Sequence, residues 1–154
     1  MDVMSHAVWG ATIVRKRPEM WWAAFIGALP DLLTALYGLI RFKGKYLLYM
    51  SNLRLTANKD DTYFKVYYFF HSLLPISVVA IVIYFMAPSY LILVLPYYFH
   101  IFLDVFTHRG IWGTRLFYPI SNFHFHGRDW WKNRWISIIN WSMLIVINLI
   151  FIFV

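Results

Sequence analysis

The sequence predicts an all-α, polytopic membrane bundle: four transmembrane spans preceded by a short apolar N-terminal helix. Three observations predict it. The 154-residue chain is 61% hydrophobic and 21% aromatic but only 14% charged, where a soluble domain carries about a quarter charged residues. Four apolar stretches approach the roughly 20 residues that cross a hydrocarbon core. Lys and Arg gather between those stretches rather than inside them. The length suits one domain, taken as residues 1–154.

There is no cysteine, which excludes disulfides and thiolate metal sites. Any metal must be held by His, Asp, Glu, backbone or water. The formal net charge is +7. In a membrane protein, basic loops reflect orientation and contact with anionic lipid, so nucleic acid is not expected as a partner.

Taken in order, Val3 to Val14 is apolar, with Ser5 as the expected cap. As a helix it would be about 18 Å long, short for a core of roughly 30 Å. Asp2 and His6 do not fit a signal peptide, and no small-residue cleavage pattern follows. Arg15, Lys16, Arg17 and Pro18 form a basic turn. Trp21 to Ile40 is the first clear span, with interfacial Trp21 and Trp22. Pro30 is expected to kink it and to place Asp31 just beyond the kink. A polar loop, 41–65, carries six Lys or Arg and ends near Asp60 and Asp61.

Val66 to Met86 is the next span, with His71 near its start. Ala87 to Ser89 turns the chain, and Tyr90 to Thr107 returns with His100 and Asp104. The aromatic, basic stretch 108–134 should lie at the interface. Trp135 to Val154 is the last span. Loops 41–65 and 108–134 together hold 11 Lys or Arg against three on the opposite face. That excess assigns both loops to the cytoplasm.

The chemistry centres on Tyr97 to Gly110, which reads YYFHIFLDVFTHRG. His100, Asp104 and His108 are four apart, so one apolar helix aims two imidazoles and a carboxylate the same way. Ionisable groups inside a span are costly and mark function by default. Imidazole with carboxylate is also a common ligand set for zinc and similar metals. Counted along their helices at about 1.5 Å per residue, His6, Asp31, His71, His100 and Asp104 reach similar depths below the cytoplasmic face. A carboxylate buried there needs a cation or donors. The Lys and Arg sit in loops, so a metal is the expected partner. Read singly, each of these residues has a plainer role: a histidine bonded to a neighbouring carbonyl, or Asp31 capping a broken helix.

SHAVWG (5–10), GALPDLL (27–33), FHSLL (70–74) and HIFLDVFTHRGIWGTRLFYPISNF (100–123) together resemble a bacterial and archaeal family of small inner-membrane proteins described as metal-dependent hydrolases. Many members carry an extra His shortly before the His-Ser pair, where this chain reads YYFF. The ligand order is also similar to that of zinc-dependent phospholipase C and the single-strand-specific zinc nucleases. There an early His, an Asp, a His, then H-x-x-x-D and another His surround a zinc cluster. The resemblance implies His6, Asp31, His71, His100, Asp104 and His108 as metal ligands. It also implies zinc as the expected ion, one to three in number with two favoured, and Asp104 as the bridge. The N-terminal amine joins the cluster in those enzymes; here Met1 stands five residues before His6.

Catalytic roles fall to Asp31 as ligand and general base, to Asp104, and to Arg109 as a phosphate contact. Arg109 and Arg115 could bind a phosphate near the metals, while each read alone fits better with snorkelling to headgroups. His124, His126 and Asp129 are late ligands or ordinary interface residues. The expected function is metal-dependent hydrolysis of a phosphoester by an integral protein of the inner membrane, with a membrane lipid or lipid-linked molecule as substrate. Two alternatives remain: a metal transporter, and a non-catalytic membrane module with a structural polar or metal site.

Overall fold

A computed structural model describes residues 1–43, 45–46, 50 and 62–153. Among the described residues there are six α-helices and no strand. They are α1 (Val3–Ile13), α2 (Met20–Arg41), α3 (Thr62–Phe70), α4 (Leu73–Met86), α5 (Leu95–Thr107) and α6 (Arg134–Phe153). A 3-10 segment, Pro88–Val94, runs into α5, and a single 3-10 turn, Gly110–Trp112, follows it. Among the described residues, three helical stretches are long and apolar enough to cross a membrane: Met20–Arg41, Pro88–Thr107 and Arg134–Phe153. The α3–α4 pair qualifies as a fourth if its two parts count as one span. Arg54, Lys59, Asp60 and Asp61 lie outside the described residues.

The expected span 66–86 differs from the structure in two ways. It begins at Thr62, and it breaks at His71–Ser72 with a bend of 43°. The break has a local cause. Pro75 sits in the first turn of α4, where a missing N–H costs nothing, and Ser72 adopts extended backbone just before it. The freed Leu73 N–H donates to Leu116 O at 2.9 Å, so the 108–134 stretch stitches the broken span closed. The helix α2, by contrast, continues through Pro30, and Thr34 Oγ1 donates to Pro30 O at 2.9 Å. The cap of α1 also differs. Asp2, not Ser5, is the N-cap and accepts from Ser5 N at 2.8 Å.

Helix α1 is 11 residues long and lies against α2 at very close range. A Cβ added to Gly27 would stand 2.6 Å from His6 O, and one at Gly10 would meet Ala23 O. Small residues permit such backbone approach between membrane helices. The last helix, α6, is largely exposed, with Ile138, Met143, Ile145 and Ile150 turned outward, as a lipid-facing span requires. Polar bonds, one buried and one partly buried, tie it to α1. Trp9 Nε1 donates to Asn140 Oδ1 at 2.8 Å, and Asn148 Nδ2 donates to Thr12 Oγ1 at 3.0 Å.

Candidate metal centre

The inner face of α5 carries His100 and Asp104, each 1% exposed. Asp31 arrives from α2 and His71 from the break after α3. One ligand atom from each of these four residues lies within 4.8 Å of the other three. His71 Nε2 is 3.2 Å from Asp31 Oδ1 and 3.8 Å from Asp104 Oδ2, and His100 Nε2 is 3.2 Å from Asp104 Oδ2. Ligands around a tetrahedral zinc with bonds near 2.1 Å sit about 3.4 Å apart, a spacing that these three separations bracket.

The orientation of both histidines is fixed from behind. His71 Nδ1 donates to Tyr67 O at 2.9 Å and His100 Nδ1 to Gly27 O at 2.7 Å. With the proton on Nδ1, each Nε2 lone pair faces the centre of the group. A backbone carbonyl holding the far nitrogen is the usual outer support of a metal-binding imidazole. The Tyr67 ring also stacks on His71 with centroids 4.0 Å apart. Asp31 Oδ2, His100 Nε2 and Asp104 Oδ2 are all buried and lack a hydrogen-bond partner. Buried acceptors left unpaired are expensive, and four convergent donors of nitrogen and carboxylate oxygen fit a divalent cation.

The other oxygen of Asp104 faces a second set of groups. His6 Nε2 is 3.1 Å from Oδ1 and His108 Nδ1 is 3.2 Å from it. The Met1 amine donates to the same oxygen and lies 3.5 Å from His108 Nε2. His6 stacks on His100 at 3.7 Å between centroids, and His6 Nδ1 is buried without a partner. Asp104 thus stands between Asp31, His71 and His100 on one side and His6, His108 and the Met1 amine on the other.

Among the expected residues outside this group, Arg109 is exposed beside His108, at the start of the short 3-10 turn. Arg115 is buried instead, with its guanidinium 3.6 Å over the Tyr68 ring and Nη1 bonded to Asn122 Oδ1. His126 is exposed and pairs edge-on with His124, which bonds Asn122 O at 3.2 Å. Asp129 pairs with Lys132 at 2.9 Å.

Sequence reasoning missed the carbonyls of Gly27 and Tyr67, which orient the imidazoles. Each precedes a cluster residue by four, but a backbone acceptor leaves no residue-type signature. Sequence likewise gave no sign that Gly127 packs against the end of α5, where Arg128 N bonds Phe106 O and Trp130 N bonds Thr107 O. Those bonds hold the 124–130 segment beneath His108.

No curated protein and no solved structure matches the chain. The whole of it, residues 1–154, matches one family, described as YdjM inner membrane protein. Its several helices apolar enough to span a bilayer agree with that location, and the chain belongs to the YdjM inner membrane protein family.

Proposed function

We propose that this protein is a metal-dependent hydrolase of the inner membrane that cleaves a phosphoester in a lipid or lipid-linked substrate. The observation that carries this reading is the placement of Asp104, whose two oxygens face separate groups of nitrogen and oxygen donors. Asp31, His71, His100 and Asp104 would hold one ion. His6 and His108 would hold a second through the other Asp104 oxygen, in place of the Met1 ammonium that pairs with it. A divalent metal held there would supply an acidified water and polarise the phosphoryl oxygen, and two such ions would stabilise both the attacking and the leaving oxygen. Zinc suits the donor set.

The chain's own residues supply the rest. The Asp31 side chain is 21% exposed, while those of His6, His71, His100 and Asp104 are 1% or less. Asp31 is therefore the most open of these side chains, although its Oδ2 is itself buried and has no hydrogen bond. That oxygen would accept a proton from a water held within the cluster, the work of a general base. His71 and His100 keep their Nε2 lone pairs directed inward because Tyr67 O and Gly27 O retain the Nδ1 protons. Arg109, exposed beside His108, meets the phosphate at the rim.

The test is release of phosphorylated headgroup or diacylglycerol from mixed phospholipid vesicles by zinc-loaded protein. Asp104→Asn keeps the side-chain shape and removes the charge. It should lower release on the order of 100-fold or more, the scale of loss when metal ligation is disturbed, and chelator should abolish release by the parent. Equal release by parent and variant, or release indifferent to chelator, defeats the mechanism. No release from any lipid would favour a structural metal or polar site.

A further inference from the structure

Directly inward of the cluster lies an apolar cavity of about 270 Å³. Its inner wall is made by Ile76, Val94 and Tyr97, each no more than 6% exposed. Its mouth is at Val79 and Tyr90, which are 48% and 52% exposed on the outer surface of the bundle. An apolar cavity of about 150 Å³ stays dry and takes a benzene ring, so this one holds roughly twice as many carbons. Water does not fill such a space, and leaving it empty forfeits contacts on every side. In a span of the bilayer, the substance at the mouth is hydrocarbon.

The cavity and the cluster share walls. Phe70 lines the cavity and His71 follows it. Tyr97 lines the cavity three residues before His100, on the α5 face that also carries Asp104. Tyr97 Oη donates to Phe70 O at 2.6 Å, which satisfies both groups, so the shared wall adds no unpaired polar group to the cavity. The order along α5 also matters. Asp104 and His100 lie towards its C-terminal end, and Tyr97 and Val94 lie deeper by up to six residues from His100, about 9 Å. A lipid whose phosphate sits at the cluster has its chain pointing in that direction.

We propose that this cavity binds one hydrocarbon chain of the lipid whose phosphoester is cleaved at the cluster. The proposal rests on the hydrolase reading for the identity of that lipid. It makes the cavity the source of selectivity for long-chain over chain-free phosphoesters.

The experiment uses zinc-loaded, full-length protein in nanodiscs containing a phospholipid with a diazirine at mid-chain. After illumination, adducts are mapped by mass spectrometry. They should concentrate on Ile76, Val94 and their cavity neighbours over the lipid-facing Ile81 and Phe85, which are 58% and 78% exposed. Ile76→Trp and Val94→Phe fill the cavity from two different elements of its inner wall, α4 and the 3-10 segment. Either should cut cavity adducts at least tenfold at unchanged zinc content. Hydrolysis of long-chain lipid should fall in parallel, while bis-p-nitrophenyl phosphate is turned over as by the parent. Zinc content identifies a filled variant that fails to fold, and the second variant then decides. Adducts spread evenly over outward residues, or unchanged by both fillings, overturn the proposal. So do adducts that join two copies of the chain across the mouth. Concentrated, filling-sensitive adducts without hydrolysis of any phosphoester would uphold the chain site and reject the catalytic reading.

Discussion

Substituting Gly27 by Ala tests how the short helix α1 is held to the candidate metal centre. The added Cβ would lie 2.6 Å from His6 O, 3.3 Å from Gly10 Cα and 3.4 Å from His6 C. A carbon normally stays about 3.3–3.6 Å from a carbonyl oxygen, so α1 must retreat by roughly 0.7–1 Å at His6. The obstacle is backbone on both sides, and no rotamer change relieves it. His6 Nε2 is 3.1 Å from Asp104 Oδ1, while metal–ligand distances tolerate only about 0.2 Å. The displacement therefore exceeds the tolerance several-fold. Gly27 O also receives the His100 Nδ1 proton at 2.7 Å, so a moved backbone disturbs a second imidazole. Overpacking of this kind costs about 1–3 kcal/mol, and disturbing the supports of metal ligands costs roughly 10–100-fold in affinity. The assay is zinc competition against a chromogenic chelator in detergent, alongside thermal unfolding. Gly10→Ala, which presses on Ala23 O across the same interface, should behave alike. Zinc affinity within twofold of the parent in both variants would refute the idea that α1 is fixed by this contact.

Two further outcomes are expected. Because the chain has no cysteine, Lys59→Cys and Lys132→Cys give single reporters of topology; both should resist an impermeant thiol reagent in intact cells, and efficient labelling at both would place the 41–65 and 108–134 loops outside. Asn140→Leu removes the acceptor of the buried Trp9 indole N–H, which should cost about 1–3 kcal/mol and lower the unfolding temperature, and an unchanged midpoint would show that this bond does not hold α6 to α1.

Much of this protein was legible in its sequence because a bilayer leaves few options. Backbone in hydrocarbon must bond within its own segment, so long apolar runs specify helices. The stretches near 21–40 and 135–154 indeed fall within a residue or two of the observed ends. His100 and Asp104 are four apart, and the helical period alone puts them on one face. What the sequence did not determine depends on contacts between distant segments. Pro75 and the extended Ser72 account for the break at His71–Ser72 locally, but only the tertiary structure brings Leu116 O to accept the freed Leu73 N–H. Arg109 and Arg115 are alike as letters. Only packing leaves the first at the surface and lays the second over Tyr68. The sharing of Asp104 between two sets of groups is likewise tertiary. It needs α1 pressed against α2 closely enough for His6 to reach Oδ1, and Gly10 and Gly27 allow that approach only where the two helices meet.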